Sequence, residues 1–183
     1  MIPWRQVVLL MLAAAFVGGL AGAFVTRNDD RALDDEGRGT VVRFGPREGL
    51  NGIEDGPFCL EFHHFCIVKT ESGDFLALYT YDPNVRFRSQ GCDVSWLPDF
   101  RFVDPETQQD KPGWFRGRCS GSTFDMEGRR VFGPSPRDLD QFPLRIVGKD
   151  SETEYIEVDT RQLICGAERL DFNEPCERAP RPE

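Results

Sequence analysis

The sequence predicts an all-β domain behind a single N-terminal transmembrane helix. Three observations carry that prediction. Residues 7–25 (VVLLMLAAAFVGGLAGAFV) form an uncharged apolar run long enough to cross a bilayer as a helix. Beyond it, aromatic and β-branched residues come in short runs punctuated by Gly and Pro turns. No segment after the apolar run shows the periodicity of an amphipathic helix, so the remainder is expected to build from sheets alone.

Element by element, the anchor comes first. Arg5 precedes the apolar run, and Asp29, Asp30, Asp34, Asp35 and Glu36 follow it. The positive-inside rule then places the N-terminus in the cytoplasm and the bulk of the chain outside, as a single-pass protein of the cell membrane with a periplasmic or otherwise extracytoplasmic domain. A cleavable signal peptide, with Ala21-Gly22-Ala23 as its small-residue site, is the rival reading. Gly18 and Gly22 make a GxxxG face suited to packing against another helix, and chance accounts for it equally in so small-residue-rich a run. Residues 26–39 are polar and acidic without hydrophobic periodicity, which describes an exposed tether.

The soluble domain is expected over residues 40–163. Val41–Phe44 opens it as a short strand, and Gly45-Pro46 and Asp55-Gly56-Pro57 punctuate a loop. Phe58–Lys69 reads as one strand, the Glu71–Asp74 segment as a turn, and Phe75–Tyr81 as the returning strand of a hairpin. The polar stretch Asp104–Pro112 reads as an insertion. Trp114–Arg118, a turn at Asp125–Gly128, and Arg129–Phe132 follow. Leu144–Val147 and Tyr155–Val158 alternate as a last hairpin. Residues 164–183 form a tail ending in Arg-Ala-Pro-Arg-Pro-Glu, expected to be unordered beyond Cys176.

The formal net charge of the 183-residue chain is −9, and every acidic residue follows the apolar run, which argues against a nucleic-acid partner. No nucleophile motif and no Gly-rich phosphate loop is evident, so hydrolytic catalysis has no support and no small-molecule substrate is predicted. Six cysteines in an exported domain of this size are better read as disulfides than as free thiols.

Two segments carry a family resemblance. Cys119-Ser120-Gly121-Ser122-Thr123-Phe124, followed by Gly133-Pro134-Ser135-Pro136, resembles the second half of a Rieske [2Fe–2S] domain, whose run is C-P-C-H-G-S-x-F and then G-P-x-P. Gly91-Cys92-Asp93-Val94-Ser95-Trp96 resembles the first half, C-T-H-L-G-C-x-V-x-W, as found in quinol–cytochrome c reductase iron–sulfur subunits. The register puts the family's ligand positions on Phe87, Ser89, Gly117 and Ser120. A Rieske centre needs two thiolates on one iron and two imidazoles on the other, and none of these four residues supplies either. The resemblance implies three stacked antiparallel sheets with two loops forming a tip, and a disulfide between Cys92 and Cys119 bracing those loops. Cys165 and Cys176 are then expected to pair and pin the tail, leaving Cys59 and Cys66 for each other, although the sequence allows other connectivities.

Three candidate sites remain. Cys59-Leu60-Glu61-Phe62-His63-His64-Phe65-Cys66 gathers His and Cys, but on an extended strand these groups alternate between faces, so a disulfide and two ordinary histidines on a half-buried strand are the expectation. Arg86 and Arg88 precede the first loop and Arg116 and Arg118 the second. Each pair shares a face if extended, so the tip is expected to be locally basic and suited to carboxylates or lipid phosphates. The alternative for these arginines is a solvated surface paired with nearby acids. Pro134 and Pro136 give the tip a rigid shape.

The resulting expectation is a membrane-anchored Rieske-like protein without a bound cluster or other cofactor. It would act as a structural or regulatory, non-catalytic subunit of a respiratory or photosynthetic electron-transfer complex. Cys92 and Cys119 would brace the tip, Pro134 and Pro136 shape it, and Arg88 and Arg118 contact the partner. The alternative is a working iron–sulfur electron-transfer subunit with atypical ligands, in which Cys92 and Cys119 bind iron and His63 or His64 swings in.

Overall fold

The computed structural model describes residues 39–45, 53, 56–148, 154–170 and 176. The proposed anchor, nearly all of the tether and most of the tail beyond residue 170 lie outside the described residues. Among the described residues no helix is long and apolar enough to cross a membrane.

The described chain is all-β, in three antiparallel sheets. The first contains β1 (Val41–Phe44), β10 (Leu144–Val147) and β11 (Tyr155–Asp159), with β11 central. The second runs in the order β2 (Phe58–Leu60), β3 (Phe65–Lys69), β4 (Phe75–Tyr79), β9 (Gln141–Phe142). The third runs β5 (Val94–Val103), β6 (Asp110–Gly117), β7 (Thr123–Phe124), β8 (Arg130–Phe132).

The second sheet is the middle layer, and its sequence shows why. In β3, Phe65 and Ile67 pack into one core with Ala77, Tyr79, Phe142, Ile156 and Val158, against the first sheet. Their neighbours Cys66 and Val68 point the other way, into a core with Leu78, Val94, Phe115, Phe124 and Leu139 under the third sheet. A strand covered on both faces reads as a continuous apolar run, not an alternating one. Phe65-Cys66-Ile67-Val68 is such a run, and all four residues are buried.

Two local expectations are corrected. Phe58–Lys69 is not one strand: Glu61–His63 forms a single 3-10 turn, His64 adopts a left-handed conformation at φ 53°, and β2 folds back antiparallel on β3. Cys59 thereby lies directly opposite Cys66 and is joined to it, with the Cα atoms 3.9 Å apart. The basic pair Arg86 and Arg88 lies on a one-turn helix, α1 (Val85–Arg88), not on an extended segment, so the two side chains part: Arg86 is exposed and Arg88 buried. The polar stretch Asp104–Pro112 closes the long β5–β6 hairpin, with Asp104 accepting from the amides of Glu106 and Thr107.

Candidate functional site: two braced loops

Two loops meet at one end of the third sheet. The first joins β4 to β5 (residues 80–93) and the second joins β6 to β7 (residues 118–122). The first is built by local capping. Asp82 accepts from the Asn84 amide at 3.0 Å, and Asn84 accepts from the Arg86 amide at 3.0 Å, which starts α1. Gly91, at φ 72°, then turns the chain so that the Cys92 amide reaches the Phe87 carbonyl at 3.1 Å. In the second loop the Gly121 amide donates to the Gly117 carbonyl at 2.9 Å, and that of Gly117 to Ser122 at 2.8 Å.

A disulfide between Cys92 and Cys119 joins the loops, with the Cα atoms 5.8 Å apart. The Arg118 amide adds a bond to the Asp93 carbonyl at 3.0 Å. Cys165–Cys176 is the third disulfide, and no cysteine is free.

The four positions matched to cluster ligands are engaged in other work. Phe87 is half-buried, and Ser89 is exposed, with its hydroxyl donating to the Arg86 carbonyl at 3.0 Å. Ser120 donates to the Asp82 carboxylate and accepts from the Ser122 amide at 3.0 Å. Gly117 has no room for a side chain: a Cβ there would collide with Ser120 Oγ and lie 2.7 Å from Asp82 Oδ2. These residues do not fit a [2Fe–2S] cluster. Phe87, Ser89, Gly117 and Ser120 offer neither thiolate nor imidazole, and the space facing Gly117 is filled by a carboxylate and a hydroxyl. Among the described residues no group of three or more His, Cys, Asp and Glu could hold a metal ion.

Behind the loops lies a buried charge network. Arg88, 2% exposed, donates through Nε to the Asp82 carbonyl at 3.1 Å and through Nη2 to Asp140 Oδ2 at 2.6 Å. Arg137, also 2% exposed, donates to both oxygens of the same carboxylate at 2.8 and 3.0 Å. Asp140 further accepts from the Gly166 amide at 3.0 Å, and its own carbonyl accepts from the Tyr79 amide at 2.7 Å. The Asp140 carboxylate therefore links the first loop, Arg137 beside the Gly133–Pro136 loop and the tail, while its backbone carbonyl ties them to the middle sheet.

That last loop packs directly on the second. Ser122 Oγ accepts from the Ser135 amide at 2.9 Å, and a Cβ on Gly133 (φ 96°) would lie 2.5 Å from the Ser122 Cα. Only glycine meets both constraints. The tail covers the loop from the other side, with the Arg169 and Leu170 amides donating to the Pro136 carbonyl at 2.8 and 2.9 Å and Arg169 forking onto Asp138.

The residues expected at a docking surface are thus divided. Arg118 and Pro134 are exposed, whereas Arg88 and Pro136 are buried and unavailable for contact. Burial of Arg88 follows from the helical turn, which points it inward at Asp140. Arg118 pairs loosely with Asp93 at 3.3 Å. His64 lines a cleft of about 520 Å³ between β2–β3 and β5, together with Glu61, Asp93, Trp96 and Arg118. Burial pushes its pKa below the ordinary 6.5, against the pull of Asp93, with His63 adding a smaller push downward. Its Nε2 lies 3.5 Å from the Tyr81 hydroxyl.

Asp82, Arg137 and Asp140 were not singled out by sequence reasoning. Asp82-Pro83-Asn84 carries a turn-and-cap signature that points to Asp82. Nothing local marks Asp140, whose partners are distant in the chain.

No family model matches the chain, and neither a curated protein nor a solved structure matches it.

Proposed function

We propose that this chain is a membrane-anchored, extracytoplasmic Rieske-like protein that holds no [2Fe–2S] cluster and serves as a structural or regulatory subunit of a respiratory or photosynthetic electron-transfer complex. The single observation that carries the reading is the closure of the two loops: Cys92–Cys119 braces them, and Asp82 with Ser120 fills the space that ligand side chains at Gly117 and Ser120 would enter. The three-sheet architecture, with both loops at one end of one sheet, agrees with it. In this role the loops present a fixed surface to a partner, and the apolar run at residues 7–25 holds the domain beside the partner's membrane helices.

Two measurements on the full chain, purified in detergent from its native membrane, test the two halves of the proposal. Iron and acid-labile sulfide assays, with EPR after reduction, are expected to read background. A stoichiometric [2Fe–2S] signal would overturn the cluster-free reading. Co-purification is expected to bring down components of a respiratory or photosynthetic complex, and their absence would overturn the subunit reading.

A further inference from the structure

Most described arginines in this acidic chain lie against a carboxylate; Arg43, Arg88, Arg129, Arg137, Arg145, Arg161 and Arg169 are examples. Arg116 does not. It stands on β6 directly opposite Ser95 of β5, half-buried, with its guanidinium carbon 4.7 Å from the centre of the Phe100 ring. Among the described residues it makes no ion pair. A guanidinium stacked on a ring keeps its N–H edge free and loses little freedom when that edge is used. The edge borders a hollow of about 420 Å³ floored by the 117–121 turn and walled by Ser95, Leu97, Arg116 and Arg118. The Arg118 side chain is 68% exposed and, among the described residues, held only by two 3.3 Å contacts to Asp93, so it can turn toward an incoming anion at small cost.

We propose that this hollow is a carboxylate-binding site, which receives an acidic side chain of a protein partner between Arg116 and Arg118, with a neighbouring apolar residue on Leu97. The inference rests on the docking role proposed above and names the chemistry of its contact. Two guanidinium forks match a carboxylate in bidentate geometry, and the Ser95 hydroxyl offers a further donor. Leu97, 37% exposed at the rim, supplies an apolar shelf that a lipid phosphate would not need. An anionic bilayer is also disfavoured by the net charge of −9 on the whole chain, whereas a single acidic segment meets only the local positive field.

The test uses the full chain in detergent, with a fluorescein-labelled Glu-Leu-Glu-Leu-Glu peptide as the probe and its Gln-for-Glu counterpart as control, read by fluorescence anisotropy at low salt. Binding of the Glu peptide and not of the Gln peptide is expected. Arg116→Ser is expected to weaken it about tenfold or more, Arg118→Ser by less, and Arg101→Ser, on the same strand pair but at the far end, not at all. Arg116→Lys keeps charge and bulk but loses the fork, and should also weaken binding several-fold while preserving the wild-type circular dichroism spectrum. Equal affinity of wild type and both Arg116 variants would overturn the proposal. So would Arg116-dependent capture by phosphatidylglycerol vesicles without peptide binding, which would assign the hollow to a phosphate. If Arg116→Ser abolishes peptide binding but native-membrane co-purification shows no complex, the docking reading fails while the site stands. If co-purification persists in Arg116→Ser, the site is not the contact and the docking reading survives.

Discussion

At the scale of single residues, Asp140 and His64 have the most measurable consequences. Asp140 accepts from two arginines that are each only 2% exposed, and Arg88 Nη1 is itself buried without a hydrogen-bond partner among the described residues. Removing one member of such a network leaves a buried charge uncompensated, which costs about 3–5 kcal/mol. Chemical denaturation of Asp140→Ala and Arg88→Ala is therefore expected to show losses in that range, and Arg118→Ala, on the surface, a loss of about 0–1 kcal/mol. His64 acts through pH. Its folded pKa lies below the ordinary 6.5, so the unfolded chain takes up the proton first as pH falls. The contribution of His64 is fully present above pH 6.5 and diminishes as pH drops from there toward the lower folded value. Melting curves from pH 8 to pH 5 are expected to slope less in His64→Gln than in the wild type over that interval.

At the scale of elements, the two loops show what local chemistry can and cannot announce. The glycines of the quoted motifs do sit where the chain turns: Gly91, Gly121 and Gly133 all have positive φ. The direction of α1 was not legible. Val85-Arg86-Phe87-Arg88 alternates as a strand would, and only the Asn84 cap and the distant Asp140 turn it into a helical turn with Arg88 inside. The fold-back at Glu61–His64 was missed for a similar reason, since aromatic and β-branched residues run through it and the turn rests on a left-handed histidine instead of a glycine. Two predictions belong here. Opening Cys92–Cys119 by a double Ser substitution releases a loop with a sequence separation of 27, and denaturant titration should show a loss of about 3–4 kcal/mol. Gly117→Ala should destabilise the second loop in thermal melts through collision with both Ser120 and Asp82. Equal stability of this variant and the wild type would show that the loops are not closed as described.

At the scale of the whole molecule, the all-β class and the final hairpin were readable from turn residues and alternation, and the layer order was written in β3. A run buried on both faces belongs in a middle sheet, which Phe65-Cys66-Ile67-Val68 announces once strands are known to stack. The seat of the tail was not readable. Apart from the Arg169 fork onto Asp138, its hydrogen bonds to Pro136, Asp138 and Gln141 run between backbone amides and carbonyls, which leave no trace in side-chain pattern. The tail thus holds residues 136–141 from outside. Cys165→Ser/Cys176→Ser should raise amide hydrogen exchange in residues 133–141 while leaving β3 and β4 protected, and an unchanged exchange map would refute a clamping role for the tail.

The pairing of β1 with β11 sets the order in which this chain can be completed. Val41 meets Asp159 and Phe44 meets Ile156, so the strand that emerges first stays without its partner until nearly the entire domain has been made. Asp140 waits likewise for Gly166. A nascent chain stopped before residue 155 lacks the central strand of the first sheet, so β1 and β10 are both left unpaired over the core of Phe65 and Ile67, and Asp140 lacks its Gly166 donor. The last strand to be made is the one that joins the first strand to the rest of its sheet, so this layer closes only after β11 has emerged.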